Sequence, residues 1–244
     1  MTKITPQING AQLSTQHVLK REMSTSRPGP VAVAALSLAL AAMTGLALAD
    51  GAAITQHGNT RGALACMACH GAQGEGAPAS GFPRLAGLDA AYLRTQLDNF
   101  AQGQRANVIM APIARALNDD EREAVTRYYA GLRGVASTEK PLAQTHAAGA
   151  SLANQGRWSQ GLPACIQCHG AMGVGVGATF PALAGQSSLY LENQLRAWQQ
   201  GTRAPGPLGL MKGVADKLSA ADIKAVAAYF SALSPSQSTL GSQP

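Results

Sequence analysis

Cys66-Met67-Ala68-Cys69-His70 recurs as Cys165-Ile166-Gln167-Cys168-His169, and this pair constrains the chain more than any other stretch. Cys-x-x-Cys-His is the sequence form of covalent c-type haem attachment. Two cysteines three positions apart lie about one helical turn apart on the same face. From there their sulfurs can reach the two vinyl groups of one haem, and the histidine that follows can offer a ring nitrogen to the iron. A chain with two such motifs is expected to hold two covalently bound haem c groups, through Cys66, Cys69, Cys165 and Cys168.

All four cysteines fall in the two motifs, so none is left for a further nucleophile or metal site. Two Cys-x-x-Cys pairs could bind zinc, but zinc leaves the histidine after each pair unexplained. A disulfide within each pair is the other reading, since the chain carries an export signature.

That signature is Val31 to Ala49, an uncharged run preceded by Arg27 and ending in Ala47-Leu48-Ala49 before Asp50. The small-x-small ending is that of a signal-peptidase site. Residues 1–49 are therefore read as a cleaved leader and the mature chain as periplasmic, which suits a group attached outside the cytoplasm in bacteria. Nineteen apolar residues could also just span a bilayer, so an uncleaved membrane anchor is the alternative. The formal charge of +6 halves once the leader is removed. Four haem propionates would bring the remainder close to neutral. There is no basic patch interleaved with aromatics, which argues against nucleic acid. Residues 50–139 carry net −1 and residues 140–244 net +4, an asymmetry that could orient the molecule on a partner or mark two solvated surfaces that drifted apart. Weak membrane association is a separate partner expectation.

From residue 51 the chain repeats itself with a period near 100, the mark of a duplicated domain. Each half opens with a small-residue helix, over 51–57 and 147–155, before Gly58 or Gly156. The haem motif, a glycine-rich loop and a Phe-Pro segment follow. Phe82-Pro83-Arg84-Leu85-Ala86-Gly87 matches Phe180-Pro181-Ala182-Leu183-Ala184-Gly185. A helix capped by Asp89 or Ser187 then carries Tyr92, Leu93, Gln96, Leu97 and Phe100, or their equivalents up to Trp198. Each half closes with a helix that starts at Asn118 with Glu121, or Ser219 with Asp222, at capping-box spacing. No strand-like alternation of useful length occurs, so the fold class is all-α. The boundaries are read as a first domain over 50–136, a linker over 137–145, a second domain over 146–234 and a disordered tail over 235–244.

The sixth ligand decides the chemistry. A methionine thioether fills that position in many electron-transfer haems and raises the potential. Met110 and Met211 occupy equivalent places, on the loop between the two longer helices, 40 and 42 positions after His70 and His169. They pair with His70 and His169 as the expected metal ligands. Met67 and Met172 have no such symmetry. His57 and His146 precede their motifs by unequal distances and read as surface residues.

Together these residues resemble the dihaem cytochrome c4 family, built from two tandem class I cytochrome c domains related by a pseudo-twofold axis. The resemblance covers nearly all of residues 51–234. It implies that the Pro83 and Pro181 carbonyls accept from the second ring nitrogen of His70 and His169. It also implies Arg105 and Arg203 as propionate partners and an electron path between the haems. The function implied is a periplasmic electron carrier rather than an enzyme. Its donor would be a quinol-oxidising complex or a periplasmic dehydrogenase, and its acceptor a terminal oxidase or reductase. A subunit of a dehydrogenase complex, or a dihaem oxidoreductase or peroxidase with one exchangeable ligand, are the alternatives.

Overall fold

The computed structural model describes residues 49–135 and 143–235. The leader reading, apart from Ala49, the tail beyond Pro235 and most of the linker lie outside the described residues. Five helices form the first half: α1 Gly51–His57, α2 Met67–His70, α3 Ala90–Ala101, α4 Met110–Ala116 and α5 Asp119–Gly131. The second half repeats them as α6 Ala143–Gln155, α7 Ile166–His169, α8 Ser188–Gln199, α9 Leu210–Ala215 and α10 Ala220–Ala232. Isolated bridges such as Ala77 with Phe82 are the β-type pairings found among the described residues, and the all-α expectation holds.

The predicted start signals act as expected. The Asp89 carboxylate accepts from Tyr92 N–H at 2.9 Å and the Ser187 hydroxyl from Tyr190 N–H at 3.3 Å. These bonds satisfy donors that a helix N-terminus would otherwise leave bare. Both capping boxes are complete, with Asn118 and Ser219 each exchanging bonds with Glu121 and Asp222.

In two places the elements differ from the sequence reading. Helix α6 begins at Ala143, inside the segment read as linker and four residues before its expected start. Met110, expected in a loop, opens a short helix instead, and Met211 is the second residue of another. The Asn107 side chain accepts from Ile109 N–H and Met110 N–H at 3.0 and 2.8 Å, closing the loop into a helical turn. In the second half that role passes to Gly209, whose left-handed φ of 63° no Cβ opposes.

Each half is clamped by its first helix crossing its last, α1 on α5 and α6 on α10. A glycine makes each crossing close. A Cβ on Gly51 would lie 2.2 Å from Ala124 O, and one on Gly149 would lie 2.0 Å from Ala225 O. Beneath the crossings lie matching apolar clusters, Ile54 with Leu117 and Val125 in one half, Leu152 with Leu218 and Val226 in the other.

The halves also grip each other. Arg105 and Arg203 pair as an antiparallel bridge, reinforced by Ala106 N–H to Thr202 O at 2.9 Å and Ala204 N–H to Gln104 O at 2.7 Å.

Candidate haem sites

Each haem motif forms one helical turn. His70 N–H donates to Cys66 O and His169 N–H to Cys165 O, both at 2.9 Å. Gly71 and Gly170 stop the turn at φ values of 81° and 77°, a region where only glycine rests without strain. The turn directs both histidines inward, where they are buried.

The imidazoles are held alike. His70 Nδ1–H donates to Pro83 O and His169 Nδ1–H to Pro181 O, each at 2.9 Å. Burial keeps both rings below the usual histidine pKa, and the proline carbonyls oppose that in part. A neutral ring that donates from Nδ1 keeps its Nε2 lone pair for a metal. Phe82 and Phe180 stand edge-on to the two rings at 6.1 Å between centroids.

The cysteines are half-buried and unpaired, so the structure does not form the disulfides considered from sequence. Burial pushes the Cys66 thiol up, and the Cys165 thiol up to about 11. Both are therefore thiols at neutral pH. Among the described residues no three His, Cys, Asp or Glu side chains converge as a metal cage, which removes support from the zinc reading.

In the second half the candidates share one cavity of about 420 Å³. Cys165, Cys168 and His169 line one side, and Met211, Pro181 and Arg203 complete it. Its walls include Leu191, Leu195, Val226 and Phe230, and helix α3 of the first half contributes Tyr92 and Gln96. A mainly apolar cleft with a neutral imidazole, two thiols and a thioether fits a flat, apolar, iron-bearing ring whose acidic edge meets a guanidinium. In the first half the Cys66–His70 turn, Pro83, Arg105 and Met110 occupy the equivalent elements.

Arg105 and Arg203 are buried rather than solvated. The Arg105 guanidinium lies 4.5 Å from the centroid of the Phe100 ring, and the Arg203 guanidinium 4.0 Å from that of Trp198. Neither meets a carboxylate among the described residues; their partners include Gln96, Gln194 and Tyr190, and Tyr92 lies against Arg203. Burial and the neighbouring Arg105 lower the pKa of Arg203.

Three features have roles that the sequence does not assign. Gln96 and Gln194 are polar residues on an otherwise apolar stripe, and that mismatch was the available signal. Arg84 is 2% exposed, donates to Ala86 O and Ala184 O, and stands where the repeat has Ala182. Gln186, also 2% exposed, bonds the Arg84 backbone and stands where the repeat has Leu88. Of the two histidines set aside, His57 is exposed, while His146 is half-buried and packs on the Tyr229 ring at 5.2 Å.

Comparison with known proteins identifies the family. The cytochrome c family matches residues 49–132 and again 146–234. A thiosulfate dehydrogenase electron acceptor from Stutzerimonas stutzeri is 48% identical over 203 residues, which cover 81% of this chain and 91% of that one. Cytochrome c4 of Pseudomonas aeruginosa is 36% identical over 193 residues, 78% of this chain and 93% of that one. The solved structure of reduced cytochrome c4 from Pseudomonas stutzeri superposes with a TM-score of 0.67 at 34% identity, covering 76% of this chain and 100% of that one. A thiosulfate dehydrogenase (TsdBA) structure from Marichromatium purpuratum gives a TM-score of 0.72 at 42% identity over 80% of this chain. This chain spans 44% of that longer protein. With two family matches and two attachment motifs, the chain belongs to the cytochrome c family as a dihaem, cytochrome c4-like electron carrier with two covalent haem c groups.

Proposed function

We propose that this carrier works in the periplasm, takes electrons from a thiosulfate dehydrogenase and passes them to a terminal oxidase or reductase. His70 with Met110, and His169 with Met211, are the pairs that would hold the two irons. The haem supplies a one-electron ferric–ferrous couple. The chain's own residues hold and insulate it: cysteines anchor the ring edge, the Pro83 and Pro181 carbonyls fix each imidazole, and the apolar walls exclude water. With a histidine and a methionine committed to each iron, no position would remain for a substrate, and the protein would act as a carrier alone. Arg105 and Arg203, buried without a carboxylate, are the cations that propionates would neutralise.

The observation that carries this reading is the single cavity shared by Cys165, Cys168, His169 and Met211. The choice of donor is supported by the 48% identical relative, which is named a thiosulfate dehydrogenase electron acceptor. The test is stopped-flow mixing of the ferric protein with thiosulfate and a purified thiosulfate dehydrogenase. Reduction of both haems within enzyme turnover is expected. Reduction no faster than without the dehydrogenase would eliminate this donor. A second reading, a general carrier fed by a quinol-oxidising complex, is supported by the likeness to cytochrome c4. It predicts faster reduction by that complex than by the dehydrogenase. The periplasmic assignment is checked by the N-terminal sequence of the purified protein, expected at Asp50.

A further inference from the structure

The two halves hold their histidines with bonds of the same length but anchor those bonds differently. In the first half, His70 Nδ1–H donates to Pro83 O at 2.9 Å. Pro83 C=O and Arg84 N–H are the two ends of one peptide unit. Arg84 N–H donates in turn to Gln186 Oε1 at 2.9 Å, and Gln186 Nε2 donates back to Arg84 O at 3.0 Å. Gln186 Oε1 also accepts from Ser187 N–H at 3.1 Å. The amide can face only one way, because its oxygen meets two N–H groups and its nitrogen meets a carbonyl. His70, Arg84 and Gln186 are all buried. An unbroken run of hydrogen bonds therefore leads from the second half, through one peptide, to the ring of His70.

The second half lacks this extension. His169 Nδ1–H donates to Pro181 O at 2.9 Å, but no described residue accepts from Ala182 N–H, the far end of that peptide. The repeat position of Gln186 is Leu88, which has no acceptor, and Ala182 packs against the apolar cluster that contains Leu88.

Hydrogen bonds in series polarise one another, strengthening each by roughly 10–30% in a low-dielectric interior. An amide whose N–H is engaged has a more negative oxygen and accepts more strongly from Nδ1–H. That raises the basicity of the imidazole as a metal ligand. A more basic axial ligand favours the ferric state and lowers the potential. The buried Arg84 cation acts in the opposite sense, but its guanidinium is held between Ala86 O and Ala184 O, equivalent carbonyls of the two halves. It therefore bears on both sites, whereas the Gln186 amide bears on one.

We propose that Gln186 is a positioning residue that acts across the domain interface, polarising the Pro83–Arg84 peptide and setting the first haem at a lower potential than the second. Electrons would then rest on the second haem, and separating the halves would raise the potential of the first. This rests on His70 as the axial ligand of the first haem.

Gln186→Leu copies the repeat partner Leu88, and NMR of the ferrous holoprotein reads the two Nδ1–H protons separately. The His70 Nδ1–H resonance is expected to move upfield while that of His169 stays. In redox titration the potential of the first haem should rise and that of the second remain. Unchanged His70 resonance and potentials, or equal shifts at both haems, would overturn the proposal. If Gln186→Leu does not fold, Gln186→Asn, one methylene too short to reach the peptide, makes the same comparison. The axial role of His70 fails separately: it is wrong if His70→Ala leaves the spectrum of the first haem intact.

Discussion

Arg105 and Arg203 share the same two acceptors. Arg105 donates to Gln96 Oε1 at 3.0 Å and Gln194 Oε1 at 2.6 Å; Arg203 donates to Gln194 Oε1 at 3.1 Å and Gln96 Oε1 at 2.9 Å. Two like charges thus lie side by side in the domain interface, bridged by two neutral amides. The arrangement is costly unless every guanidinium proton is satisfied and the charge is met from elsewhere.

Gln96→Leu tests that square. It removes an acceptor from both guanidiniums at once, and a hydrogen bond to a charged group contributes about 1.5–3 kcal/mol. A loss of roughly 2–4 kcal/mol is expected in urea unfolding of the holoprotein. A loss under about 1 kcal/mol would mean that water replaces the amide and that the interface is looser than described.

The helix crossings make a sharper prediction. A Cβ at Gly149 would lie 2.0 Å from Ala225 O, and backbone cannot yield as a side-chain tip can. Gly149→Ala must push α6 off α10, with an overpacking cost of about 1–3 kcal/mol. Thermal unfolding followed by circular dichroism measures it. Gly131→Ala, where nothing lies within 4 Å of the added Cβ, is the control and should not destabilise the protein.

Much of the fold, and the residues proposed for the site, are legible in the sequence. The haem motifs, the capped helices and the two methionines all lie in short stretches whose geometry is local, or repeat with a fixed period. What could not be read is non-local or asymmetric. Gln186 and Arg84 stand 102 positions apart, and their bond depends on how one half docks on the other. Gly51 and Gly149 are indistinguishable in sequence from the many turn glycines nearby, because what matters is the backbone opposite them. Met110 reads as a loop residue in sequence because the helix it opens begins on the Asn107 side chain rather than on a strong propensity.

A pH dependence follows from Asp222. Its carboxyl accepts from Ser219 N–H at 2.9 Å, from Ser219 Oγ–H at 2.8 Å and from Arg157 at 2.5 Å. Although burial alone would raise its pKa, these bonds hold it below the usual carboxylate value. A depressed carboxylate contributes stability that is fully present above the unfolded pKa of about 3.9 and is lost as pH falls through the folded value. Asp222→Asn should therefore cost about 1 kcal/mol at pH 7, the net worth of a typical intramolecular hydrogen bond. The two proteins should converge in acid below the folded value. Urea midpoints measured across that range decide it, and a difference that persists unchanged in acid would assign the cost to packing.

The methionines provide the most direct check on the coordination scheme. If Met110 and Met211 each fill one sixth position, the far-red methionine-to-iron absorption of the ferric protein is the sum of two equal parts. Met211→Ala should remove about half of it and lower the potential of one haem, because a thioether favours the ferrous state. Met110→Ala should do the same for the other haem, and the double variant should lose the band entirely. Met172→Ala should leave the band whole: Met172 is 59% exposed at a left-handed φ of 56° and has no methionine partner in the repeat. Unequal halves would carry equal information. A band that survives Met110→Ala undiminished would show that the first iron takes its sixth ligand elsewhere, and an exchangeable position there would revive an enzymatic role for that haem.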